Sequence, residues 1–122
     1  MRNWIRNARA KVSRKTFFHL HLISDATGET LIMAGRAAAA QYNEWHAVEH
    51  VTPMVRTQEQ VMKALEEVDK TPGVVLYTLM DRNLSKILIS RCAELGVPAV
   101  DVLSPLMSVF EGYLGQKASG QM

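Results

Sequence analysis

At 122 residues, with 48% apolar and 21% charged residues, the chain has the size and composition of one globular domain with a core and is too short for two. No window approaches the roughly 18 apolar residues of a membrane-spanning helix, and no charged-then-apolar secretory signal is read at its start. The net charge of +2 divides unevenly: residues 1–15 hold six Lys or Arg and no acid, the remainder eight Lys or Arg against twelve Asp or Glu, so the basic balance belongs to a leader and the argument for a nucleic-acid-binding domain fails.

The leader, "MRNWIRNARAKVSRK" (1–15), spaces Trp4, Ile5, Ala8 and Val12 helically among cations. A weakly amphipathic helix on acidic lipid or RNA and an organelle transit peptide share that pattern. Four apolar residues bury too little to offset ordering, so a disordered leader is expected.

"TFFHLHLIS" (16–24) is a continuous apolar and aromatic run, expected to form a strand covered on both faces. "ETLIMAGRAAAAQY" (29–42) predicts a helix whose inward stripe takes in Leu31, Ala34 and Ala38, its four alanines implying close approach to a sheet. "WHAVEHV" (45–51) predicts a second strand stopped by Pro53. "TQEQVMKALEEVDK" (57–70) predicts an amphipathic helix capped by Thr57, with Val61, Ala64, Leu65 and Val68 inward. After the "TPG" break, "VVLYTL" (74–79) is a β-branched buried strand, and "RNLSKILISRCAEL" (82–95) a helix ended by Gly96. "PAVDVL" (98–103) is a fourth strand, followed by Ser104-Pro105 and a short helix to about Leu114. "GQKASGQM" (115–122) is expected to be a flexible end.

Strand and helix alternate throughout, which implies parallel pairing with right-handed crossovers. The expected fold is α/β, a Rossmann-like three-layer sandwich around a four-stranded parallel sheet over residues 16–114.

Ligands of open parallel sheets bind beyond the carboxyl ends of the strands, where three loops qualify: Ser24–Thr30, Thr78–Arg82 and Ser104–Pro105. The first is the richest. Asp25 or Thr27 can cap the helix, Gly28 lets backbone approach a ligand, and first-turn N–H groups favour an anion. Ser24, Thr27 and Thr30 offer hydroxyls to a phosphate, and Asp25 or Glu29 could hold a metal ion or take a proton. Any strand-to-helix turn wants the same residues for capping, so composition leaves capping and anion binding both open.

Other chemistry is thinner. His19 and His21 share a strand face, as do His46 and His50 on the next strand, but no carboxylate or cysteine spacing supports zinc, and no metal is expected. Cys92 has no disulfide partner, fits a reducing cytoplasmic compartment, and reads as a small buried hydrophobe. Asp81 and Arg82 could contact a ligand or cap a helix, and Asp101 is a buried polar anchor or an edge residue. "GYLGQKASG" (112–120) is no P-loop: its glycines are too close, Gln116 separates Gly115 from Lys117, and a helix precedes it.

"LISDATGETLIMAGRAAAAQY" (22–42) resembles the opening motif of the bacterial bifunctional regulatory proteins of pyruvate, phosphate dikinase and phosphoenolpyruvate synthase. There an apolar strand leads into a V-S-D-[SA]-T-G-E-T-like turn and an alanine-rich helix. "VVLYTLMDRNL" (74–84) and "GVPAVDVLSPLMSVFEGYLG" (96–115) are similar to later segments of that family, the second carrying its D-[VI]-[LI]-[GS]-P-L pattern, so the resemblance covers about residues 17–120. It implies ADP-dependent phosphorylation of a threonine on the dikinase or synthase, and phosphate-dependent removal of that group with release of pyrophosphate. The implied cofactors are ADP and inorganic phosphate. The implied partner is the dikinase or synthase, with a homodimer expected and neither nucleic acid nor membrane. The family's G-V-S-R-[TC]-[SG]-K-T-like P-loop belongs to the second half of its chain and is not found here, so this chain reads as an N-terminal part without kinase activity of its own.

On that resemblance Asp25 is the expected proton acceptor, and Ser24, Thr27, Gly28, Glu29, Thr30 and Ser104 the phosphate- or ligand-binding residues of a cleft facing the nucleotide half. Two alternatives stand beside it: a non-catalytic docking and dimerisation module, and a stand-alone α/β domain that binds a phospho-ligand.

Overall fold

Thr16–Ser24 forms β1, and its last five residues are all buried, as expected of a strand covered on both faces. A computed structural model describes residues 16–120. The leader falls outside the described residues.

The elements follow as α1 (Glu29–Ala39), β2 (Trp45–Thr52), α2 (Gln58–Lys70), β3 (Gly73–Thr78), α3 (Arg82–Leu95), β4 (Ala99–Asp101) and α4 (Ser104–Leu114). All strand pairs are parallel and the sheet order is β2-β1-β3-β4. His21 therefore stands beside His50 on one side and Val75 on the other, and Ser24 beside Thr78. The fold is the expected Rossmann-like α/β sheet.

Alternation along the strands feeds two cores. On one face Ile23, Val75 and Tyr77 meet Val61, Ala64, Leu65 and Val68 of α2 and Leu84, Leu88 and Cys92 of α3. On the other, Leu20 and Leu22 meet Leu31 of α1, with Phe18, Ile32, Val74 and Leu76 around them. Each fully buried aliphatic side chain contributes about 1.5–3 kcal/mol. The inward face of α2 is the one expected, and Thr57 and Gln60 form a reciprocal capping box at its start. Gly96 ends α3 in the left-handed region, and Asp81 caps its start by accepting from Asn83 and Leu84 N–H.

Three expectations shift. In α1 the residue that approaches the sheet is Gly35: a Cβ there would stand 3.1 Å from Leu20 Cδ2, while Ala38 is exposed. The helix stops at Ala39 instead of 42, because Gln41 and Tyr42 N–H turn back to the carbonyls of Ala38 and Ala39. Finally, β4 is three residues long instead of six, since Asp101 Oδ1 draws in the N–H groups of Leu103 and Ser104 and bends the chain into α4.

Candidate functional site

The turn between β1 and α1 sits on the carboxyl edge of the sheet and is knitted to β3. Asp25 N–H donates to Thr78 O at 3.0 Å, and Asp25 Oδ2 accepts from Met80 N–H at 2.8 Å. Ser24 Oγ accepts from Ala26 N–H at 3.0 Å and from Thr78 Oγ1 at 3.1 Å. Ser24, Asp25 and Thr78 are all buried, and no buried polar side-chain atom among the described residues lacks a partner.

A second segment clasps the turn from the β2 side. Met54 N–H donates to Ala26 O, Val55 N–H to Ser24 O, and Arg56 Nε to Asp25 O at 2.9 Å. Met54 adopts φ 58°, a conformation that costs a non-glycine residue about 1–2 kcal/mol and that these neighbouring bonds hold in place. Pro53 ends β2, as expected. Nothing in local spacing signals that Arg56 reaches back 31 residues in sequence to donate its Nε–H to the Asp25 main-chain carbonyl.

Neither Asp25 nor Thr27 caps α1. The N-cap is Gly28, at φ 90° and without a side-chain cap bond. Its carbonyl accepts from Ile32 N–H, and a Cβ at Gly28 would stand 3.3 Å from Val51 Cγ1. The first-turn N–H groups of α1 thus have no side-chain acceptor, which leaves them for a ligand or water. Thr27, Glu29 and Thr30 are exposed around them. Ser104 is not part of this cluster: it starts α4, beyond β4, two strand spacings or roughly 10 Å from β1.

Ser104 instead helps wall a groove of about 480 Å³ between α3 and α4, floored by Tyr77, Leu79 and Asp101 and lined by Arg82 and Lys86. Burial pushes the Tyr77 hydroxyl above its ordinary range, and Asp101 adds to the effect.

Three of the histidines, His19, His21 and His50, meet on the α2 face. His19 Nδ1 and His50 Nε2 are 2.9 Å apart, the rings of His21 and His50 stack at 4.6 Å, and His21 Nε2 donates to Thr71 O at 2.6 Å. His46 is exposed and apart. Burial first, then the neighbouring imidazoles, hold His19 and His21 below the usual histidine range. The described residues contain no cluster of His, Cys, Asp and Glu able to hold a metal ion. No helix among them is long and apolar enough to cross a membrane.

Comparison with known proteins adds a second line of observation. A family model described as kinase/pyrophosphorylase matches residues 20–122. The chain is 57% identical over 103 residues to a Sinorhizobium medicae protein named "Putative pyruvate, phosphate dikinase regulatory protein", covering 84% of this chain and 38% of that one. It is 56% identical over 103 residues to the protein of the same name from Rhizobium meliloti, with the same coverage. The identity to the Brucella anthropi protein of that name is 56% over 103 residues, covering 84% of this chain and 37% of that one. The chain therefore spans about two fifths of the length of the curated relatives it matches.

Proposed function

The chain belongs to the kinase/pyrophosphorylase family, and from that premise we propose that it is the partner-facing α/β part of a regulator of pyruvate, phosphate dikinase. The complete regulator would move the β-phosphoryl group of ADP to a threonine hydroxyl of the dikinase, leaving AMP. In the opposite sense, inorganic phosphate would attack the phosphothreonine, giving pyrophosphate and the free hydroxyl. Phosphoenolpyruvate synthase is the other candidate target, the cytoplasm the expected compartment, and a homodimer the expected assembly.

The observation that carries this reading is the match of 103 residues at 57% identity to a dikinase regulatory protein. The geometry of the turn supports it. Thr27, Gly28 and Thr30 surround the uncapped start of α1, where a phosphoryl oxygen would find backbone donors, and Arg56 brings a cation to the same place. Glu29 completes the proposed ligand-binding set at this helix start, from which Ser104, at the start of α4, stands apart. Asp25 is proposed as the proton acceptor for the threonine hydroxyl. No P-loop is present to cradle ADP, so the 122-residue polypeptide by itself is proposed to be inactive.

The test joins residues 1–122 to the remaining three fifths of the Sinorhizobium medicae protein and supplies dikinase with ADP labelled on the β-phosphate. Label is expected on a dikinase threonine with the joined protein and none with residues 1–122 alone. An inert joined protein, or labelling by the 122-residue chain, would overturn the proposal.

A docking role without chemistry is favoured by one observation: the Asp25 carboxylate is buried and already serves Met80 N–H. Asp25→Asn keeps an acceptor oxygen for Met80 and removes only the charge. In the joined protein, lost turnover with retained dikinase binding supports the catalytic role, and lost binding with normal chemistry supports docking.

A further inference from the structure

We propose that the open edge of β4 and the apolar stripe of α4 form one docking surface, whose occupant is a fifth parallel strand supplied by the part of the family chain that these 122 residues do not contain.

The stripe comes first. In α4, Leu106, Val109, Phe110, Tyr113 and Leu114 fall at i, i+3, i+4, i+7 and i+8, the spacing of a face built to be covered. They are 54, 67, 59, 90 and 68% exposed, and α4 has no buried residue. A row of five large apolar side chains in water costs more than a scatter of single ones, and marks an unfilled contact.

The edge points to the same place. Pro98 O accepts from Val75 N–H and Val102 N–H donates to Tyr77 O, so alternate residues of β4 face β3. The main-chain groups of Ala99 and Asp101 then face the other way, where no strand among the described residues adjoins the sheet. Val100, between them, is 48% exposed.

Handedness selects the occupant. Right-handed crossovers account for about 98% of parallel connections. The unit from β3 through α3 to β4 steps outward across the sheet with α3 on the Tyr77 and Leu79 face. Helix α4 is on that same face, since its Ser104, Met107 and Ser108 wall one groove with Ser85 and Ile89 of α3. A right-handed unit leaving β4 with its helix on this face delivers its next strand outside β4, under α4. The curated relatives carry about three fifths of their length beyond the matched residues, ample chain for that strand. A second copy of this chain would bring its own β4 edge, which a two-fold axis sets antiparallel, and not the parallel strand that a right-handed unit delivers.

The docking surface stands or falls separately from the activity proposed above. Amide hydrogen exchange of Ala99 and Asp101 is compared between residues 1–122 alone and the protein joined to the rest of the Sinorhizobium medicae chain, with Leu22 as the folded-state control. Slowing by at least about 100-fold at both amides in the joined protein is expected. Ala99→Pro removes an outward donor, so it should lower the melting temperature of the joined protein by more than that of the 122-residue chain, where it perturbs only the packing of Ala99 on the core.

Equal, fast exchange in both proteins with Leu22 protected would overturn the proposal. So would protection of both amides in the short chain, whether from dilute solution or only as its concentration rises, the latter assigning the edge to a second copy. The full-length Sinorhizobium medicae protein, measured at the two positions aligned with Ala99 and Asp101, repeats the test without a junction. Failed dikinase labelling with protected amides would sink the activity and leave the docking surface standing.

Discussion

Asp25 Oδ2 accepts the backbone N–H of Met80 at 2.8 Å, fastening the turn after the first strand to the loop after the third. The carboxylate is held where a ligand of the carboxyl edge would pass. Asp25→Ala should cost about 1–3 kcal/mol of stability, because it strips a partner from a part-buried N–H, whereas Asp25→Asn should cost much less. Denaturant unfolding of the two variants checks the order.

The start of α1 should bind a simple anion. Titration with inorganic phosphate, followed by amide NMR, should shift Glu29, Thr30 and Leu31 and leave Ser104 still, since its N–H already donates to Asp101 Oδ1. Arg56→Ala should weaken the binding by about tenfold, the value of one charge-assisted bond. Shifts confined to Ser104, or none at all, would contradict the assignment of the anion contacts.

The histidine cluster makes stability fall with acid. His19 and His21 have folded-state values below 6.5, so the unfolded chain binds the extra protons. Their contribution is complete above about pH 6.5 and is lost as pH drops below it through the lowered folded values. Around His21 burial opposes protonation and outweighs the favourable contacts: the Thr71 carbonyl favours it, His50 and His19 oppose it, and Glu67 favours it more weakly. Unfolding midpoints compared at about pH 7.5 and 5.5 should decline, and His21→Gln should flatten the decline.

Burial pushes the Cys92 thiol up to about 11, with the side chain in the core between α2 and α3. At pH 8 the native chain should resist iodoacetamide for hours while the denatured chain reacts at the rate of a free thiol. Fast native labelling would show that α3 opens far more often than its packing implies.

At Gly35 the helix presses on the sheet, with Leu20 Cδ2 at 3.1 Å and Leu76 Cδ1 at 3.5 Å from where a Cβ would sit. Gly35→Val should destabilise by about 1–3 kcal/mol through overpacking. Thermal melts would register it, and an unchanged midpoint would mean that Leu20 yields freely.

The strands and helices were legible because each carries its period: the apolar run of residues 16–24, the capping box at Thr57 and Gln60, the glycine after α3. The inward face of α1 was not, since alanine and glycine look alike to a hydrophobic pattern and only the sheet decides which one touches Leu20. The candidate site was half legible. Ser24 and Asp25 stood out by type, but their partners Thr78, Met80 and Arg56 are 31 to 55 residues away in sequence, and no local spacing encodes such pairings. Likewise the histidines announced a shared strand face, while their 2.9 Å meeting depended on the register of β1 against β2.

Strand order also sets a timetable for synthesis. β1 is flanked by β2 and β3, and no two neighbours in this sheet are joined by a hairpin. On the ribosome, β1 is made first and its second edge has no partner until residues 73–78 have emerged. The nascent chain thus carries a half-paired segment from the completion of β1 until β3 has emerged, which makes residues 16–24 the place where a chaperone would bind and where aggregation would begin.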